Sequence, residues 1–219
     1  MKAKRLTIFA GHYGSGKTNI AVNYALWLKN QGYKVTVADM DTVNPYFRTK
    51  DSAEIFKENG INLVASVYAG SNVDLPALPS EIYALTEDKT SYAVIDIGGD
   101  DRGAYALGRL TPEILKENDY EAVFVINKCR PLIATPENAL GIMREIESAS
   151  GIPFTAIANN TNLGEATTID TINNSMEYTK SVSGLAKLPV KFVSVKEGFE
   201  DKIETEYEIF PMKLQKKII

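Results

Sequence analysis

Residues 11–18 read Gly-His-Tyr-Gly-Ser-Gly-Lys-Thr, which places glycine, lysine and a hydroxyl at the spacing G-x-x-x-x-G-K-[ST]. Each fixed position has a chemical reason. Gly11, Gly14 and Gly16 permit a tight bend that turns a ring of backbone N–H groups inward, a geometry suited to polyphosphate oxygens. Lys17 sets a positive charge against the β- and γ-phosphates, and the Thr18 hydroxyl is a ligand for Mg²⁺. A helix predicted to start here adds its positive dipole end to the same anion. The expected phosphate-binding set is therefore Gly11, His12, Tyr13, Gly14, Ser15, Gly16, Lys17, Thr18 and Asn19.

Carboxylates at the ends of apolar runs supply the second half of this chemistry. Asp96 follows Tyr92-Ala-Val-Ile95 and precedes Ile97-Gly98-Gly99, a Walker B pattern running into D-x-x-G. Its carboxylate is expected to hold the Mg²⁺ shell, through water because Mg²⁺ dehydrates reluctantly. Gly99 would present its N–H to a γ-phosphate and move when that phosphate leaves. Asp39 and Asp41 sit two residues apart on an extended segment. One of them could polarise an attacking water in phosphoanhydride cleavage. Asp41 is the favoured catalytic member and a candidate for the metal shell; Asp39 could instead cap the strand or support the metal indirectly.

The elements that position these groups alternate along the chain, the pattern of a mostly parallel central sheet with helices on both faces. Strands are predicted at 6–10, 34–38, 61–67, 91–97, 122–126, 153–158 and 190–195. Helices are predicted from 19 to 30, 52–59, near 81–87, 136–149 and around 168–182. Thr135 reads as an N-cap, Pro136 as the first helical residue and Gly151 as the stop. In such sheets ligands bind at the carboxyl ends of the strands, where Asp39, Asp41, Asp96, Asn127 and Asn159 fall. No linker or repeat divides the 219 residues, so one domain over 1–219 is expected.

Composition narrows the function classes. A hydrophobic content of 44% with 24% charged residues is that of a soluble globular chain. A net charge of −4 argues against extended nucleic-acid contact. The single cysteine, Cys129, excludes an intrachain disulfide and a multi-thiolate metal site within one subunit. The N-terminus lacks a signal peptide, and no run approaches the roughly 18 apolar residues of a membrane span. Cytoplasmic location is expected. The run Pro211–Ile219 mixes basic and apolar residues and reads as a terminal strand or solvated tail rather than a membrane anchor.

With Gly11–Thr18, Asp39-x-Asp41 and Asp96-x-x-Gly99 in place, the chain resembles the MinD/ParA-type, or deviant Walker A, P-loop ATPases through about residue 160. The resemblance implies ATP and Mg²⁺ as ligands, Lys17 on the phosphates, Thr18 and Asp96 on the metal, and Asp41 as the water-positioning aspartate. It also implies an adenine-reading asparagine at Asn159 or Asn160, with the loop near Pro189 across the base pocket. An unidentified protein partner and an ATP-dependent homodimer follow from the same likeness.

One departure stands out. Family members carry a signature lysine second in the loop, which reaches across a dimer; here that residue is His12, followed by Tyr13. Histidine is not a permanent cation at neutral pH, and packing within its own loop is the default role for His12. Arg48, Arg102 and Arg130 are candidates for the missing charge, with Arg102 favoured and counted with Lys17 and Asp41 in the catalytic set. Asn127-Lys-Cys-Arg130 lacks the final aspartate that reads guanine, which favours adenine.

The leading expectation is an Mg²⁺-dependent ATPase, slow without its partner, acting as a nucleotide-state switch. A small-molecule kinase or ATP-dependent ligase, and a non-hydrolysing nucleotide-bound scaffold, are the alternatives.

Overall fold

Leu6–Ala10 (β1) is buried at every position and lies at the centre of the molecule. The computed structural model describes residues 1–40, 50–65, 80–98 and 101–214, with backbone alone at 50, 51, 101 and 102. After β1 come Lys17–Asn30 (α1), Val35–Met40 (β2), Lys50–Glu58 (α2) and Asn62–Ala65 (β3). A 3₁₀ turn over Ser80–Tyr83 leads into Ala84–Glu87 (α3), then Tyr92–Ile97 (β4), Asp101–Gly108 (α4), Thr111–Glu117 (α5) and Tyr120–Ile126 (β5). The chain continues through Pro136–Ser150 (α6), Ala156–Asn159 (β6), Ile169–Asn173 (α7), Met176–Ala186 (α8), Val190–Lys196 (β7) and Ile209–Met212 (β8).

The described strands form one eight-stranded sheet in the order β3-β2-β4-β1-β5-β6-β7-β8, and every described pairing is parallel. Strand periodicity builds the two cores. Leu6, Ile8, Ile95 and Phe124 face Leu107, Ile114, Met143 and Val182 from α4, α5, α6 and α8. Phe9, Val94, Val123 and Val125 face Ile20, Tyr24 and Leu28 of α1 and Phe56 of α2. The apolar stripe of α1 thus fixes it against β1, with Phe9 and Tyr24 edge to face at 5.3 Å between ring centroids. Chain order reverses around β1, whose neighbours are β4 and β5, and the loop leaving β1 opens into that crevice.

Several sequence expectations shift in detail. The helix expected around 168–182 is two helices, α7 and α8, meeting at Asn174 and Ser175, because Thr168 and Thr171 form a capping box for a short first segment. Pairing in β6 starts at Ala156 rather than at Pro153. Helices α4 and α5 were not expected; Pro112 in the first turn of α5 was the available signal. Pro211 sits in β8, where an edge strand tolerates its missing N–H. The α6 boundaries match closely: Thr135 Oγ1 accepts from Asn138 N at 3.3 Å, and Gly151 is left-handed with φ 70°.

At the amino ends of the strands, buried Arg5 joins three segments. Its Nη1 donates to Ser91 O at 3.0 Å and its Nη2 to Leu85 O at 3.0 Å. The same guanidinium grips the Glu117 carboxylate of α5, through Nε to Oε1 and through Nη2 to Oε2 at 2.6 Å. This clamp anchors the far edge of the sheet, away from the site.

Candidate functional site

The loop between β1 and α1 is closed in a way that only glycine allows at two positions. A Cβ on Gly11 would collide with the carbonyl oxygen of Val125 on β5. Gly16 has φ +86°, and a Cβ there would run into Nδ2 of Asn160. The loop is tied internally by Ser15 N donating to His12 O at 3.1 Å. Lys17, buried as the first residue of α1, donates from Nζ to His12 O at 3.3 Å, so its ammonium lies within the bend.

Thr18 and Asp96 meet beneath this loop: Thr18 Oγ1 donates to Asp96 Oδ2 at 2.6 Å. Asp96 is buried near the carboxyl end of β4, and Asp39 is its register partner on β2. A hydroxyl and a carboxylate converging beside a lysine-bearing glycine loop are the hard oxygen donors Mg²⁺ prefers. The residues present therefore fit a metal carried with a polyphosphate. Beside them, a cavity of about 80 Å³ is lined by Thr18, Asp39 and Asp96 together with Val22, Val37 and Phe56.

A lattice of amides supports the loop from the other side. Asn160, just past β6, donates from Nδ2 to Ser15 O at 2.6 Å, while its Oδ1 accepts from Ser194 Oγ of β7 at 2.5 Å. Asn127, at the end of β5, accepts on Oδ1 from Cys129 N at 3.0 Å and donates from Nδ2 to Asn162 O at 3.2 Å. The structure thus brings Asn160 to the phosphate loop, with its amide nitrogen engaged on the loop and its oxygen on β7. Asn159 is fully buried and points elsewhere, donating to Ser175 Oγ at 2.8 Å and accepting from Thr161 N at 2.9 Å. Pro189 is not at this edge at all. It precedes β7, so it lies at the amino end of that strand, where its carbonyl accepts from Ile157 N at 2.9 Å. The cavity beside Asn160 is lined instead by Ser194, Val195 and Lys196.

His12 folds back on its own loop, with Nδ1 2.7 Å from Tyr13 O. A carbonyl only accepts, so Nδ1 carries the proton in this contact. Besides Lys17, exposed Arg130 touches the loop, its Nε donating to Gly14 O at 2.6 Å. Sequence reasoning placed Arg130 among three candidates but preferred Arg102. Arg102 lies in the first turn of α4, with its side chain outside the described residues. Asp41, Arg48 and Gly99 also lie outside them. Among the described residues there is no group of three or more His, Cys, Asp or Glu that could hold a metal by itself. Nor is any helix there long and apolar enough to cross a membrane.

A parallel α/β sheet carrying this loop, with a hydroxyl and a carboxylate beneath it, defines a P-loop nucleotide-binding domain. The family model for the CobQ/CobB/MinD/ParA nucleotide binding domain matches residues 6–186, and the chain belongs to that family. No curated protein matches significantly. Among solved structures, the chain is similar to the signal recognition particle receptor FtsY from Elizabethkingia anophelis. Identity is 21%, the TM-score is 0.57, and the match covers 92% of this chain and 62% of that one. It is also similar to FtsY from Thermotoga maritima, with 18% identity, a TM-score of 0.60, and coverage of 87% and 61%. A third is the signal recognition particle 54 kDa protein from Aeropyrum pernix K1 in complex with GDP, with 18% identity, a TM-score of 0.54, and coverage of 88% and 41%. At these identities the likeness establishes the fold, and the chain spans about three-fifths of the FtsY chains it matches.

Proposed function

We propose that this protein is an Mg²⁺-dependent ATPase of the deviant Walker A type, whose nucleotide state is read by a protein partner or a second copy. The observation that carries this reading is the Thr18–Asp96 contact directly beneath the Gly11–Thr18 loop. In this reading the two side chains would hold the nucleotide-bound metal, which would replace the hydrogen bond that joins them. The ion, when bound, neutralises charge on the β- and γ-phosphates. The chain's own groups do the rest by positioning. Backbone N–H groups of the loop and the Lys17 ammonium hold the phosphates in line. Asp41 orients the attacking water, and residues 98–109 carry the presence or loss of the γ-phosphate to a partner.

Adenine is favoured because the loop after β5 ends in Arg130. A guanidinium has only donors, whereas a guanine-reading residue must accept from N1–H and the N2 amino group. The test is phosphate release from ATP and GTP by nucleotide-free protein with Mg²⁺. Unassisted turnover of ATP on the order of 10⁻³ to 10⁻² s⁻¹ is expected, abolished in Lys17→Ala. Preference for GTP, or equal rates in Lys17→Ala, would overturn the reading.

The cavity beside Asp39 favours a second reading, phosphoryl transfer to a small acceptor seated against its apolar wall. That reading requires a metabolite, rather than a protein, to stimulate ATP turnover.

A further inference from the structure

We infer that Ser194 on β7 is a positioning residue for nucleotide binding: it anchors the Asn160 amide that holds the phosphate loop, without itself touching the ligand. The inference rests on the reading of Gly11–Thr18 as the nucleotide site and adds to it a residue that lies outside every loop motif.

Four observations carry it. Strand register comes first. β6 and β7 pair Asn159 with Val193, so the next residues along, Asn160 and Ser194, stand side by side at the carboxyl edge of the sheet. Second, the two are only 3% and 4% exposed, and a polar side chain so buried is costly unless it finds a partner. Ser194 Oγ lies 2.5 Å from Asn160 Oδ1 and 3.2 Å from Asn159 O. A hydroxyl has one proton to give, and the shorter contact takes it. Among the described residues Ser194 is the one side chain donating to that Oδ1.

Third, the Asn160 backbone is already pinned. Its N donates to Ile126 O at 2.8 Å, and its O accepts from Asn162 Nδ2 at 2.7 Å. The freedom that remains is rotation of the side chain, and the bond from Ser194 restrains it. Fourth, the other end of the amide donates to Ser15 O at 2.6 Å, in a space left open by the missing Cβ of Gly16.

Ser194 thus stands behind Asn160 as Asn160 stands behind the loop. Without the hydroxyl, a buried amide oxygen has no donor, a cost that favours turning the side chain away. A flipped amide would set Oδ1 against Ser15 O, acceptor against acceptor, and release the loop carbonyl. Donation to Oδ1 also polarises the amide and strengthens the N–H bond it gives to Ser15.

The test is a double-mutant cycle on the full chain: wild type, Ser194→Ala, Asn160→Ala and the double variant, with Ser194→Thr as the conservative replacement. Calorimetry reads ATP·Mg²⁺ affinity, phosphate release reads KM and kcat, and NMR reads exchange of the Asn160 side-chain N–H groups without nucleotide. Ser194→Ala should weaken affinity and raise KM about fivefold, the loss of roughly one hydrogen bond, with kcat held within about twofold. In the Asn160→Ala background the same change should alter affinity by less than about twofold. Ser194→Thr, which keeps the hydroxyl, should recover most of the loss. Wild-type affinity in Ser194→Ala would overturn the inference. So would an equal loss in both backgrounds, which is what a merely structural role produces. The Asn160 side-chain N–H groups should exchange about tenfold faster in Ser194→Ala, and equal rates would also overturn it. If wild type binds no nucleotide, the reading of the loop fails, and the exchange rates still decide whether Ser194 anchors Asn160.

Discussion

Asn160 holds the phosphate loop in place from 145 residues away: its amide donates to the Ser15 carbonyl at 2.6 Å while its oxygen is held by Ser194. The contact couples the carboxyl ends of β6 and β7 to the bend after β1. A loop whose N–H groups must converge on an anion depends on its carbonyls being drawn outward, and Asn160 draws one of them. Asn160→Ala should weaken ATP·Mg²⁺ binding about tenfold, the loss of roughly one buried hydrogen bond, read by isothermal calorimetry. Asn160→Asp should be worse, because a carboxylate cannot donate to Ser15 O and its charge opposes the phosphates. Equal affinities for wild type and Asn160→Asp would show that the contact has no bearing on binding.

Gly16 tests the same closure from the opposite side. Its φ of +86° and the proximity of Asn160 Nδ2 leave no room for a methyl group. Gly16→Ala should lower stability by about 1–3 kcal/mol and remove detectable ATP binding. Thermal melting with and without ATP·Mg²⁺ reads both effects, and a nucleotide-induced rise in Tm for Gly16→Ala would contradict this.

Thr18 and Asp96 make a prediction about the metal rather than the nucleotide. Asp96→Asn keeps an acceptor for the Thr18 hydroxyl but removes the negative charge a divalent ion requires. ATP affinity should then be insensitive to Mg²⁺, and turnover should fall at least about 100-fold. Titrations with Mg²⁺ and with EDTA provide the comparison. A Mg²⁺ dependence equal to wild type would place the metal elsewhere.

How much of this was legible in the sequence follows from which contacts are local. Gly11–Thr18 announces itself because all its fixed positions lie within one turn of chain, and Asp96 because an apolar run ends in it. The contact of Arg130 with Gly14 joins positions 116 residues apart, and nothing local to either residue announces it. Asn159 and Asn160 are adjacent, and a strand sends adjacent side chains to opposite sides. Only the packing of β6 against β7 and the loop decides that Asn160 faces Ser15 and Asn159 faces Ser175. Pro189 was legible and misplaced: a residue just before a strand in a parallel sheet lies at the end opposite the ligand edge.

The Arg5–Glu117 clamp predicts how stability responds to acid. Burial alone would raise the Glu117 pKa, but the hydrogen bonds and charges of Arg5 and Lys89 outweigh it and hold the group below its usual value of 4.5. A carboxylate depressed in the folded state stabilises above its unfolded pKa, and that contribution is lost as pH falls through the folded value. Denaturation midpoints should therefore drop below about pH 4.5, and Glu117→Gln should flatten part of that slope. At neutral pH Glu117→Gln should cost about 3 kcal/mol, because it leaves buried Arg5 short of its counter-charge. An unchanged urea midpoint at pH 7 would remove the clamp from the stability account.

The most direct measurement is calorimetric titration of nucleotide-free wild type and Lys17→Ala with ATP·Mg²⁺ and with GTP·Mg²⁺. A saturable heat for wild type with ATP, weaker with GTP and absent in Lys17→Ala, is the predicted result. No heat with either nucleotide, or the same isotherm for both proteins, would contradict a phosphate site built on Gly11–Thr18.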